Sequence, residues 1–551
     1  MLKNLHSKVV TTVVLGSMVF CASAMAAPNI SNLGGSDPGV QLHKTMEYLE
    51  RERVARQIEE DRAKQIEKVE DKTQSEEAKQ GVVTFVLSDL IIERSDVLTR
   101  AEIDAVTKEY VDNEVSLSDL NDIISKLNKL YADKGYLTCR AYLPAQTIKG
   151  GVVEIKLIEG KTGRVVIQGN DTTEADYVTD RLTLTEGRID NINELNGELL
   201  LFNAMHDAQM RISMQAGEVP GTTDYIISLY EPERQNWTLF ADNAGSSTTG
   251  EYRTGFFYQD RSLTGHRDAF SVNGMITEGV RSLGVGYSRQ IDKSGTKMNV
   301  QYNTNSMRIT DGELTDLDVK GHAYAASVGI AQPLVVTENV RTEASFTYNQ
   351  QNSKTDFLGM DWLDDTIRDA TLAYSVTKYT DSSIFYSKHG YTFGHYENIE
   401  SATKNYGLYE LNSFYQKAYK NGHMLSARFD AQLSGNNYMP SARQFYIGGV
   451  YSVRGYQESL LGGDHGYVAS LEYAIPVINK KTSVFAFVDH GGVYGDCAFD
   501  DHVLTSVGVG FKTMLKDSVY TMVTLGMPLK RELNGTKASR SRLNFMVNAQ
   551  L

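Results

Sequence analysis

The strongest constraint on this chain is the alternation of its C-terminal half. From about residue 236 to Leu551, helical periodicity gives way to short runs with a two-residue period. Clusters of Gly, Asn, Asp and Ser separate the runs. In the last run, Leu543, Phe545, Val547, Ala549 and Leu551 alternate with Arg542, Asn544, Met546, Asn548 and Gln550. A pleated strand puts the two sets on opposite faces, one suited to lipid and one to water. A stack of soluble sandwiches would carry more proline in its loops than the 9 of this chain, and would not turn its apolar face outward. The pattern is that of a transmembrane β-barrel. About 316 residues, at roughly 20 per strand with its connection, give about 16 antiparallel strands.

Composition fits that reading. The chain is 41% apolar and 23% charged, too apolar for disorder, and barrel strands are only half apolar. A net charge of −14 argues against nucleic acid as a partner. Three cysteines exclude a disulfide scaffold. Residues 1–26 read as a secretory signal, with Lys3 and Lys8 ahead of an apolar stretch and Ala24-Met25-Ala26 as a small-x-small site. Leu551 departs from the aromatic residue that ends many outer-membrane barrels, although the apolar alternation continues to it.

Residues 27–80 form a helix and linker. Leu42, Met46, Leu49, Val54, Ile58, Ile66 and Val69 make a thin apolar stripe on an otherwise charged helix. From the residues alone this is a solvated helix and a charged linker over residues 67–80, in preference to a helix that occupies a pore.

Residues 81–160 read as a compact α/β unit of order β-α-α-β-β. Thr99 with Glu102 is a capping box, and Ser116 with Asp119 opens a second helix. Leu120, Ile123, Ile124, Leu127, Leu130 and Tyr131 share one face of that helix, which Gly135 stops. Leu137, Cys139, Ala141 and Leu143 alternate along the next strand. Cys139 reads as a small core residue and not as a reactive thiol. Residues 161–234 repeat the order, with Met210, Ile212 and Met214 alternating in a late strand. The barrel follows over 235–551.

Two segments near the end carry more specific information. Val453-Arg454-Gly455-Tyr456 looks like the tip of a long hairpin loop. In the second segment Phe485, Phe487, Asp489 and Gly491 fall on one face of a strand. A carboxylate facing lipid is costly, so Asp489 must face the lumen. There it can pin an inward-folded loop through Arg454 by a charge-assisted bond.

The V-R-G-Y loop and the F-x-D-x-G strand resemble those of the outer-membrane protein assembly and secretion superfamily. Two α/β units that look like POTRA (polypeptide-transport-associated) domains, with a helix before them, make the chain similar to two-partner secretion transporters of the haemolysin and filamentous-haemagglutinin exporter type. The resemblance implies a leading helix that plugs the pore, an Arg454–Asp489 pair, and Phe487 and Gly491 completing the strand motif. It implies export, with possible activation, of one large exoprotein, recognised by the POTRA pair without ATP. The candidate recognition edges are the strands of Leu137, Cys139, Ala141 and Leu143, and of Met210, Ile212 and Met214. Expected partners are that exoprotein and outer-membrane lipid.

The alternative reading is an assembly factor that inserts other barrels, which usually carries more POTRA domains. The sequence has no G-x-S-x-G elbow, G-x-x-x-x-G-K-[ST] phosphate loop or H-E-x-x-H spacing. No enzyme activity, cofactor or metal is expected.

Overall fold

The computed structural model describes residues 34–63 and 84–551, except 313, 401, 436–438, 479–480, 496–500, 517 and 535. The expected signal sequence, the charged linker, Ile66, Val69 and Cys497 lie outside the described residues. Helix α1 spans Pro38–Ala63. It begins earlier than the apolar stripe suggests. Asp37 Oδ1 accepts the N–H groups of Gly39 at 2.7 Å and Val40 at 3.1 Å. Pro38 fills the first helical position, where no donor is needed.

The first α/β unit runs β1 (Thr84–Val86), β2 (Asp89–Ile92), α2 (Arg100–Thr107), β3 (Glu114–Ser116), α3 (Leu117–Asp133), β4 (Cys139–Tyr142) and β5 (Val152–Glu159). Both helices carry complete capping boxes, at Thr99 with Glu102 and at Ser116 with Asp119. Leu120, Ile123, Leu127 and Tyr131 of α3 pack on Val153 and Ile155. The sheet order is β2-β5-β4, with β2 parallel to β5.

The second unit has β6 (Lys161–Gln168), α4 (Ala175–Thr179), α5 (Ile192–Met205), β7 (Gln209–Ala216) and β8 (Thr222–Tyr230). Its order β6-β8-β7 repeats that of the first unit, so the repeat shows in topology where identity is low. The units meet at Gly135. Its carbonyl accepts the Ile192 N–H at 2.8 Å, and the Lys134 carbonyl accepts the Asn191 side-chain amide at 3.0 Å. Gly135 has φ +88°, and a Cβ there would meet Asn191 at 2.5 Å.

Sixteen antiparallel strands then close into a barrel, the last (Arg542–Gln550) pairing with the first (Gln235–Asp242). Strands lengthen from 8 residues beside that seam to 20 in Met360–Tyr379. The alternation resolves as expected. Leu543 is 58% exposed on the outer face, whereas Asn544 is 3% exposed on the inner one.

Helix α1 lies inside the barrel. Leu42 is fully buried against Ala323 and Ala325 of the wall, and Val40 packs with Ile367, Tyr406 and Leu408. Glu50 pairs with Lys388 at 3.6 Å and Arg51 with Asp430 at 3.6 Å. This corrects the solvated-helix expectation. A barrel lumen is itself polar, so a helix can bury there with a thin apolar stripe and charges that meet wall charges. Its 26 residues make a rod of about 39 Å.

Candidate functional site

The connection between the strands Met424–Ser434 and His465–Pro476 folds back into the lumen. It has its own apolar core, in which Ile447, Val453, Tyr456 and Leu461 pack on Val468, Val493 and Leu504 of the wall. Arg454 and Asp489 meet at its tip. The guanidinium donates Nε to Asp489 Oδ2 at 2.7 Å and Nη2 to Oδ1 at 2.9 Å. The Arg454 main-chain N–H adds a third bond to Oδ2 at 3.0 Å. Ser470 Oγ donates to Asp489 Oδ1 at 2.6 Å. Arg454 also reaches Glu472 at 3.1 Å, and Glu472 in turn pairs with Lys512 at 3.1 Å. The Phe487 ring lies 3.5 Å from the guanidinium carbon. Asp489 is 0% exposed and Arg454 8%. A buried carboxylate with this many donors is satisfied only while the loop is seated.

The other motif residues shape the seat. Tyr456 is 1% exposed, its hydroxyl 3.0 Å from the Thr505 carbonyl and 2.8 Å from that of Lys530. Gly455 has φ +98° and lies backbone to backbone on Gly526 of the wall strand Val519–Pro528. A Cβ on Gly526 would sit 2.5 Å from Gly455 N. Gly491 leaves room for Val453, whose Cγ2 would be 3.2 Å from a Cβ there.

Loop and helix form one plug. Arg51 donates to the Tyr451 carbonyl at 3.0 Å, and the Tyr48 and Tyr451 rings stand 5.1 Å apart. Arg253, bonded to Asp242 at 2.7 and 2.9 Å, lies beside both rings. A second buried pair, absent from the sequence reading, joins Arg443 to Asp369 at 2.6 Å.

The second α/β unit docks on turns and strand ends at one end of the barrel. Asp207 accepts Arg267 Nε at 3.0 Å and Arg261 Nη1 at 3.3 Å. Arg341 donates to the Ala204 carbonyl at 2.9 Å, and the Tyr177 hydroxyl lies 3.1 Å from Gln290 Oε1. Behind them, burial holds the His206 imidazole down at about 3, so it stays neutral between the Tyr177 hydroxyl and the Phe202 carbonyl. Asp207→Ala strands the fully buried Arg267 side chain. Such a loss costs on the order of 3 kcal/mol. Faster proteolysis over residues 231–234, with the barrel still heat-modifiable on gels, is the expected result.

β4 and β7 are indeed sheet edges, each with one strand partner among the described residues. However, Cys139, Ala141, Met210, Ile212 and Met214 point into the domain cores, each at most 8% exposed. Their alternation marks the core face of each sheet. β4 covers only Cys139–Tyr142, so Leu137 sits in the preceding turn at 41% exposure and Leu143 follows the strand. Any contribution of these strands to binding must come from main-chain groups and outward side chains. Burial also pushes the Cys139 thiol up to about 11. Maleimide is therefore expected to label the Cys139 peptide only after unfolding, as mass spectrometry would show.

Comparison with known proteins places these features. The sequence pattern of the POTRA domain, ShlB-type, matches residues 85–160. That of the haemolysin secretion/activation protein ShlB/FhaC/HecB matches residues 221–513. The chain belongs to this family. It is an outer-membrane protein with a periplasmic POTRA region. One relative of this family member, the heme/hemopexin transporter protein HuxB of Haemophilus influenzae, is 25% identical over 465 residues, which are 79% of this chain and 81% of HuxB. The fold matches CdiB from Escherichia coli with TM-score 0.67 and 18% identity, over 96% of this chain and all of that one. BamA from Haemophilus ducreyi, lacking POTRA domains 1–3, matches less well, with TM-score 0.51 and 13% identity over 85% of this chain.

Proposed function

We propose that this family member exports one large partner polypeptide across the outer membrane, through the lumen that α1 and the inward loop now fill. The observation that carries this reading is the construction of the plug. It is held by polar contacts to a wall that closes without it, and a barrel built for permanent closure needs no separable helix. The relative HuxB is named a heme/hemopexin transporter, and CdiB an outer membrane transporter. Both names fit export better than insertion of other barrels. The cargo arrives extended in the periplasm and adds to a POTRA sheet edge through main-chain hydrogen bonds. β7 belongs to the unit that contacts the barrel and is the favoured edge. Proline at β7 positions whose N–H points away from β8 is expected to abolish pull-down of the cargo's N-terminal fragment. Retained pull-down would remove β7 from the pathway. Export draws on cargo folding outside, since the periplasm holds no ATP.

The test is a proteomic comparison of surface, supernatant and outer membrane with and without the gene. Loss of one very large exoprotein, with other barrels unchanged, is the expected result. Loss of many barrels together would make the protein an assembly factor.

A further inference from the structure

We infer that Arg443 is a latch for the plug helix, separate from the Arg454–Asp489 seat of the loop tip. Arg443 sits in the short turn Ser441–Arg443 of the inward loop and is 5% exposed. Its guanidinium makes contacts in three directions. Toward the wall, Nε and Nη2 donate to Asp369 Oδ2 at 2.9 and 2.6 Å, while the Tyr406 hydroxyl holds Asp369 Oδ1. Sideways, Nη1 donates to Gln351 Oε1 at 3.0 Å. Toward the helix, Nη1 lies 3.4 Å from His43 Nδ1.

Gln351 extends the chain. Its amide Nε2 donates to the Gly39 carbonyl at 3.1 Å. With its Oε1 taken by Arg443, the amide is oriented so that its donor faces the helix. Two more wall contacts close the same first turn, Asn305 to the Pro38 carbonyl at 2.9 Å and Ser353 to Asp37 at 3.4 Å. The first turn of α1 is thus held by wall amides and hydroxyls, and Arg443 fixes the orientation of one of them. Below it, the helix offers a thin apolar stripe and a second set of polar contacts around Glu50 and Arg51. Polar contacts at these two levels, more than apolar packing, keep it in place, and Arg443 orders the N-terminal one.

Nη1 also donates to the Ala442 carbonyl at 2.8 Å, so its two hydrogens are taken, and Arg443 is a positioning residue that acts on the helix through Gln351, with His43 alongside. Its loss frees the Gln351 amide and weakens the hold on the first turn of α1, and leaves the Arg454–Asp489 bonds untouched. Helix residence and loop seating then become separable. The inference rests on the plug reading but not on export, because its readouts need no cargo.

The test uses the full chain in planar bilayers and in outer membranes. Residence is read from disulfide formation between Leu42→Cys and Ala325→Cys, a pair in contact in the plugged state, with Cys139 and Cys497 changed to alanine. Arg443→Ala is expected to lower the cross-link yield and raise the ionic conductance, shifting the open-to-plugged ratio by about tenfold or more, as loss of a charged hydrogen bond does. Arg443→Lys should fall between, since an ammonium meets Asp369 but cannot serve Gln351 at the same time. Arg443→Ala leaves Asp369 buried and unpaired, so Arg443→Gln with Asp369→Asn serves where the single variant does not fold. In a chain lacking residues 38–63, Arg443→Ala should add nothing to the conductance. An equal rise in that background would show that Arg443 shapes the barrel and not the helix, and would overturn the inference. So would unchanged cross-linking in the folded variants.

Discussion

Arg454→Ala is expected to leave a folded, inserted barrel that exports less than about a tenth of the wild-type amount. Asp489 is fully buried and receives three bonds from Arg454 and one from Ser470. Removing one partner of such a pair costs about 3–5 kcal/mol, mostly as the uncompensated charge left behind. That free energy bears on the loop and not on the barrel, whose wall strands keep their full ladders on either side of Asp489. The loop therefore leaves its seat before the barrel unfolds. The measurement pairs cargo in the supernatant with heat modifiability of the barrel on gels. Asp489→Ala should match it, and the double variant should be little worse than either single one, because the two side chains act as a unit. Normal export from an inserted Arg454→Ala barrel would remove the seat from the mechanism. Exchanging the pair, with Asp at 454 and Arg at 489, is expected to fail. A guanidinium on the wall could not receive the main-chain N–H bond that Oδ2 accepts from residue 454.

How much of this was legible in the sequence depended on whether a residue's environment is set locally. The inward face of Asp489 follows from two-residue alternation, because a strand with one lipid face admits one register. The capping boxes at Thr99 and Ser116 were legible for the same reason, since both partners lie within four residues. The position of α1 was not. A helix in water and a helix in a polar lumen present the same charged surface, and they are told apart by distant wall partners such as Lys388 for Glu50, Asp430 for Arg51 and Ala323 for Leu42. Its true start was legible and passed over, in Asp37-Pro38-Gly39, a cap followed by a first-turn proline. Arg443 and Asp369 lie 74 residues apart, one in an irregular turn, so no period links them. The Asp207 joint has the same character, with its arginines on turns that alternation does not reach. The alternating residues of β4 and β7 mark the core face of each sheet, and the edge of such a strand offers a binder its main-chain groups, which no side-chain pattern reports.

Gly526→Val should abolish export as completely as Arg454→Ala without altering any charge or any residue of the loop. Gly526 belongs to the wall strand Val519–Pro528, opposite Gly508 of its neighbour. A Cβ on it would lie 2.5 Å from Gly455 N and 2.7 Å from Gly455 Cα, so backbone on both sides would have to move. The loop cannot yield locally. Gly455 holds φ +98°, Arg454 before it is fixed on Asp489, and Tyr456 after it is fixed on the carbonyls of Thr505 and Lys530. The wall strand cannot yield without breaking its ladders to both neighbours. The loop tip is the cheaper part to displace, and three motif residues lose their partners together. Valine is at home in a strand, so the barrel should insert normally. Gly526→Ala should be intermediate in export, as the single methyl already meets the loop backbone. Reduced export with a normal barrel, graded from Ala to Val, would show that close seating of the loop is required in itself. An unaffected Gly526→Val transporter would mean that the seated loop is a resting state the export cycle does not need.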